Sequence, residues 1–146
     1  MKQLAYMTMA ALVGVAVALQ GVLNARLREG WGLGLAIFFN VLLTVPLSLL
    51  LWGALGFSWP GKERILQTPW PLLLGGVMGF YIITAGAMVF GRLPATVALA
   101  LVLLGQFTTA LLVDANGWLG MPRVPVSPSR LAGLALLGLG VWLMRR

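Results

Sequence analysis

The sequence predicts an all-α integral membrane protein whose chain crosses the bilayer five times. Sixty per cent of its 146 residues are hydrophobic and nine per cent are charged, and the mean hydropathy is +0.98. A soluble domain of this length needs far more polar surface to cover its core. The apolar residues also follow one another in long runs, and crossing a hydrocarbon core of ~30 Å takes about 20 helical residues.

The apolar runs place the five helices within one transmembrane domain covering residues 1–146. The last run is short, but it gains length if the helix begins near Pro128 and Arg145 and Arg146 extend to the interface. We interpret the first run as a retained helix, because it is too long for a signal peptide and lacks a convincing cleavage site. The predicted spans cover about residues 4–25, 33–55, 70–90, 95–113 and 128–145.

The composition argues against several classes of function. The net charge is +7, but the basic residues stand singly or in pairs at span ends, which predicts contact with lipid phosphates and no binding of nucleic acid. The chain has no histidine and no cysteine, and its three acids and four serines are scattered. We therefore expect no enzyme activity, no metal site and no cofactor.

The basic residues are balanced between the two sides of the membrane. Lys2, Lys62, Arg64, Arg123 and Arg130 fall on one side, and Arg26, Arg28, Arg92, Arg145 and Arg146 fall on the other. Because orientation follows the Lys/Arg difference between short loops, equal numbers allow insertion both ways. The balance predicts dual topology, with two copies packed antiparallel into ten helices. The alternative is one orientation set by the first helix or by boundary charges such as Arg26 and Arg130.

Polar side chains inside the spans are the candidate site residues, because lipid-facing helix needs none. We expect a shared polar cavity for a small molecule. For the threonines we expect hydrogen bonds across helices. Asp114 is either a site residue or a helix-end cap, since Asp-Ala-Asn-Gly is also typical of a turn. The cavity set is Gln20, Asn24, Asn40, Tyr81 and Gln106, and the threonines are Thr44, Thr84, Thr108 and Thr109.

Small residues recur at helical spacing in three of the spans. Close backbone approach at small residues drives helix association in membranes, so these stripes predict tight packing within the chain or between chains. They comprise Gly14, Ala18 and Gly21 in the first span, Gly75 and Gly79 in the third, and Gly133, Gly138 and Gly140 in the fifth.

Three segments carry a resemblance to a known family that covers nearly the whole chain. The run Leu19–Leu27 resembles the opening of the YdcZ-type family in the drug/metabolite transporter superfamily. Gly105-Gln106-Phe107, followed by Asp114, Gly117 and Arg130–Gly133, resembles that family's fourth span and its exit. Gly133–Val141 is similar to the dimerisation helix of the small multidrug resistance proteins, which implies a dimer interface at Gly133, Leu136, Leu137 and Gly140.

The resemblance implies a multi-pass small-molecule transporter of the bacterial inner membrane, working by alternating access as an antiparallel homodimer. Small multidrug resistance proteins have a buried glutamate in the first helix, whereas this chain has Gln20 and Asn24 there. An amide exchanges no proton, so Asp114 is the one candidate for proton coupling. A neutral or weakly polar substrate suits the amides best. The alternative is a non-transporting membrane subunit that uses its glycine faces for assembly.

Overall fold

The computed structural model describes residues 2–144, and this part of the chain is built from α-helices joined by short connections. Its contacts divide the chain into two units, Met1–Gly91 and Arg92–Arg146. The first unit contains α1 to α4, and the second contains α5 and α6. The helices are α1 (Lys2–Trp31), α2 (Leu33–Ala54), α3 (Lys62–Leu66), α4 (Leu74–Val89), α5 (Ala95–Asn116) and α6 (Pro128–Met144).

Four of the helical segments are long and apolar enough to cross a membrane, which confirms the all-helical membrane class. Their most apolar stretches have mean hydropathies between 1.8 and 2.2. The fifth predicted span, α6, has 17 residues and measures about 26 Å at 1.5 Å per residue. The predicted extension of this span to Arg145 and Arg146 lies outside the described residues. The long segments are Gln3–Trp31, Leu33–Ala54, Trp70–Val89 and Ala95–Asn116.

The helix α1 continues beyond the predicted span. Its 30 residues measure about 45 Å, more than a hydrocarbon core of ~30 Å requires. The helix ends at Gly32, where φ is +78°, a backbone conformation that glycine adopts without steric cost. Trp31 packs edge-to-face against Phe39 of α2 with ring centroids 5.1 Å apart. The helices α1 and α2 therefore form a hairpin with a single residue between them.

Small side chains mediate the packing of α1, α2 and α4 in the first unit. Ala25 of α1, Ala36 of α2 and Ala87 of α4 are buried. A Cβ built on Gly21 of α1 would lie 2.6 Å from two ring atoms of Phe90, which follows α4. Because membrane helices gain little from hydrophobicity when they meet, this close approach at small residues is what holds them together.

A connection rich in aromatic residues joins α2 to α4. Trp52 packs edge-to-face against Phe57 with centroids 5.0 Å apart, and its indole N–H donates to the Ser58 carbonyl at 3.2 Å. The short helix α3 comes next and begins with Lys62, Glu63 and Arg64. Trp59 and Trp70 are exposed on either side of it. Exposed tryptophans beside basic residues are typical of the membrane–water interface.

The second unit is a pair of helices with an ordered connection. The helix α5 ends at Gly117, whose φ of +65° is left-handed and whose N–H donates to the Val113 carbonyl at 2.8 Å. The Val124 N–H donates to the Asp114 carbonyl at 2.8 Å. This hydrogen bond holds the connection after α5 against the end of that helix. As a result α6 begins beside α5 and packs against it.

The prediction of hydrogen bonds across helices was wrong for Thr44 and Thr108, and the buried hydroxyl of Thr84 has no hydrogen-bond partner among the described residues. Thr44 donates to the Asn40 carbonyl at 2.8 Å, and Thr108 donates to the Leu104 carbonyl at 2.7 Å. Both acceptors lie four residues earlier in the same helix, where a threonine hydroxyl reaches the backbone without any neighbouring helix.

Candidate functional site

The buried polar contact of the first unit joins Asn24 and Asn40. The side-chain N–H of Asn40 donates to Oδ1 of Asn24 at 3.0 Å. Asn24 is 6% exposed, so the bond lies inside the packed part of the unit. Each residue is seven positions from the end of its helix at Gly32, or about 10 Å along the axis. The two predicted site residues therefore meet at one depth.

Arg28 lies one helical turn from Asn24 on the same side of α1. It is partly buried, and its Nη2 would be 2.7 Å from a Cβ built on Gly91. Gly91 follows the end of α4, so the carboxyl ends of α1 and α4 lie at the same end of the unit. A cation beside the carboxyl end of a helix interacts favourably with its carbonyl groups. The guanidinium of Arg28 can lie beside the end of α4 because Gly91 has no side chain to occupy that space.

Thr84 on α4 carries a buried hydroxyl that has no hydrogen-bond partner among the described residues. Thr84 precedes Ala87 by three positions, and Ala87 is fully buried, so the two share the packed face of α4. Leaving a buried hydroxyl unpaired costs ~1–3 kcal/mol. A hydroxyl retained at that cost is available to a ligand or a water molecule.

The other two predicted residues of the first unit lie on its surface. Tyr81 is 66% exposed, and Gln20 is also exposed. The structure of this unit thus brings Asn24 and Asn40 together and leaves Gln20 and Tyr81 facing outward. Gln106 belongs to the second unit, where its side chain is exposed on α5. A cavity shared by all five residues stays a prediction.

The second unit contains a groove of about 550 Å³ between α5 and α6. Two helices cannot enclose a cavity, so the groove is open along its length. Its walls are apolar except at one end, where Asp114 and Arg130 face each other. The lining residues are Phe107, Ala110, Leu111 and Asp114 of α5, with Arg130, Gly133, Leu134 and Leu137 of α6.

Asp114 forms an ion pair that connects α5 to α6. Its Oδ2 lies 3.2 Å from Nη1 of Arg130, and the two side chains are 37% and 43% exposed. The local backbone contact in this turn is made by Asn116, whose side chain donates to the Leu112 carbonyl at 2.8 Å. Arg123 donates through Nε to the Ala115 carbonyl at 2.9 Å. Two guanidinium groups therefore lie beside the end of α5, and one of them holds the carboxylate.

The predicted dimer residues occupy different surroundings on α6. Gly133 and Leu137 line the groove toward α5, whereas Leu136 is 67% exposed. A Cβ built on Gly133 or Gly140 would meet no atom within 4 Å, and the same holds for Gly14, Gly75, Gly79 and Gly138. Within one unit these glycines therefore mediate no close contact, whereas Gly21 of the first stripe does.

Sequence reasoning missed Arg28 and Gly91. The spacing of Arg28 from Asn24 was visible in the sequence, since residues four apart share a helix face. The position of Arg28 beyond the predicted span assigned it to a surface connection. Gly91 carried no signal, because its role depends on contact with a distant part of the chain. Within residues 2–144, no three acidic residues come together as a metal site.

Comparison with families of known proteins supports the resemblance drawn from the sequence. Residues 5–143 match the model of the family DMT_YdcZ, described as "Putative inner membrane exporter, YdcZ". No curated protein and no solved structure matches the chain. The match covers α2, α4 and α5 completely and nearly all of α1 and α6.

Proposed function

Because this chain belongs to the DMT_YdcZ family of inner membrane exporters, we propose that it transports a small molecule as a pair of antiparallel copies. The chain is a multi-pass protein of the inner membrane. The observation that carries the proposal is the hydrogen bond between Asn24 and Asn40, which places one buried and one partly buried amide in a unit that otherwise packs mainly through small and apolar side chains. Large polar side chains at membrane depth mark a pathway more often than a scaffold.

Two features support an assembly of two copies. If the chain crosses the membrane five times, its basic residues divide equally between the two sides, which permits both orientations. A Cβ built on any glycine of α6 would meet no atom within 4 Å, and Leu136 is 67% exposed, so a second copy can approach the backbone there. Two opposed copies form an inverted repeat, and exchange between mirrored conformations gives alternating access. The cavity of Gln20, Asn24, Asn40, Tyr81 and Gln106 forms between the copies in this proposal.

The absence of cysteine makes orientation simple to measure. We expect Ser58→Cys, in the exposed connection after α2, to be labelled in roughly half of the molecules when intact cells meet a membrane-impermeant maleimide. Complete labelling or none would establish one orientation and refute dual topology. Cross-linking of a single cysteine at Leu136 tests the α6 interface in the same background.

Transport itself is tested with the purified protein in liposomes. We expect Gln20→Ala or Gln106→Ala to abolish flux of a transported molecule while the dimer stays intact. If either variant loses the dimer and keeps the flux per dimer, the amide is a packing residue.

A second candidate function is a non-transporting assembly subunit, which the open groove between α5 and α6 favours because a partner helix fits an apolar groove. A stable complex with another membrane protein, together with no flux of any molecule tested, would support that function over transport.

A further inference from the structure

The guanidinium of Arg28 is a partly buried charge that has no hydrogen bond or ion pair among residues 2–144. The first unit has two acidic residues. Glu29 is already paired with Arg26 at 3.1 Å, and Glu63 lies in α3, beyond the opposite end of α2. A charge withdrawn from water is costly unless an opposite charge accompanies it. An anion would supply the opposite charge that Arg28 lacks within its unit.

Asn24 adds a second unsatisfied set of donors on the same face of α1. Its Oδ1 accepts the bond from Asn40, while its own Nδ2 donates to no described residue. Residues four apart lie next to each other on a helix, so both side chains leave the same face of α1. A group that only accepts hydrogen bonds satisfies both, and an ionised carboxylate does so with two oxygens.

We propose that Arg28 and Asn24 bind a small carboxylate anion, and that this carboxylate belongs to the transported molecule. The inference rests on the proposed transport function and names its substrate class. Arg28 pairs with the carboxylate, and Asn24 donates one turn deeper in the unit. Gly91 is a positioning residue, because it leaves space for the guanidinium at the end of α4. A lipid phosphate at the interface reaches Arg28, but Asn24 is only 6% exposed.

The test measures binding by the purified protein in dodecyl maltoside, whose head group is neutral. The probes are acetate, benzoate and succinate, each compared with its uncharged amide, and the readout is the ligand-dependent rise in Tm. We expect saturable stabilisation by at least one carboxylate and none by its amide. Arg28→Gln should weaken that binding by about tenfold or more, the value of hydrogen bonds to a charged group. Arg26→Gln is the matched control, because it removes an equal charge from the same helix end.

Gly91→Ala changes the position of the Arg28 guanidinium without removing its charge. The added Cβ would meet Nη2 of Arg28, the far end of a flexible side chain, so the guanidinium moves while the fold stays intact. We expect this variant to keep the wild-type Tm without ligand and to lose carboxylate affinity as Arg28→Gln does. Unchanged affinity in Gly91→Ala, or equal losses in Arg26→Gln and Arg28→Gln, would overturn the proposal.

The remaining outcomes separate this inference from the transport function. Stabilisation by every amide as strongly as by its carboxylate overturns the anion site, and so does Arg28-dependent stabilisation by phosphatidylglycerol alone. Flux of neutral or cationic molecules in liposomes without carboxylate binding refutes the site and leaves transport standing. Arg28-dependent carboxylate binding without any flux supports the site and refutes transport.

Discussion

One added methyl group tests the packing of α1 against the end of α4. A Cβ at Gly21 would lie 2.6 Å from Cδ2 and Cε2 of Phe90 and 2.9 Å from its Cγ. Carbon atoms in contact prefer separations of ~3.5–4.0 Å, so the ring has to move by about 1 Å. Because Cγ lies close to the backbone, rotating the ring does not remove the overlap. We expect Gly21→Ala to be less stable than a glycine-to-alanine change at an open position of α1 by ~1–3 kcal/mol, the usual cost of overpacking.

Gly14→Ala is the matched control, because it makes the same substitution in the same helix where a Cβ meets no atom within 4 Å. Alanine is a better helix former than glycine by ~1 kcal/mol, so this variant should be as stable as the wild type or more stable. The assay is reversible unfolding in mixed detergent micelles, followed by tryptophan fluorescence.

A second substitution identifies the atoms responsible. In the Gly21→Ala background, Phe90→Leu removes part of the ring that the new methyl group strikes, and we expect it to recover part of the lost stability. The double-mutant cycle should therefore show a coupling of ~0.5–3 kcal/mol. If Gly21→Ala is as stable as Gly14→Ala, or if Phe90→Leu adds its cost independently, the packing described here is refuted.

Three further predictions concern polar groups. Asn40→Leu should cost ~1–3 kcal/mol, because it leaves Asn24 buried without its partner, and the double variant with Asn24→Leu should recover part of that loss in the same unfolding assay. Thr84→Val should be neutral or stabilising, since valine has the shape of threonine without its unpaired hydroxyl; a stable variant with lost flux would assign the hydroxyl to the substrate pathway. Asp114→Asn should change stability by less than ~1 kcal/mol, because the ion pair is partly exposed; a larger loss would contradict that reasoning.

The sequence predicted the helices well because their position depends mainly on composition. Long apolar runs are stable in lipid only as helices, so the four long segments follow directly from hydropathy. The helix ends were less predictable. The predicted end of the first span was based on the thickness of the hydrocarbon core. The helix itself continues to Trp31, because no helix-ending residue conformation occurs before Gly32.

The site was predictable to the extent that it depends on residue type and depth. Asn24 and Asn40 were named because amides are rare inside spans, and they meet because both lie at equal distance from Gly32. The position of Arg28 was not predictable, because it depends on which face of α4 packs against α1. The same reason applies to the groove between α5 and α6, whose walls require a specific rotation of each helix.

The one-residue break at Gly32 has a consequence for biosynthesis. Two helices joined this closely can leave the translocation machinery as a hairpin, and Asn24 then faces Asn40 before α4 has been synthesised. An amide that enters lipid without a partner costs several kcal/mol, whereas two amides that bond to each other share that cost. The bond between them can therefore form during membrane insertion, before the rest of the first unit is present.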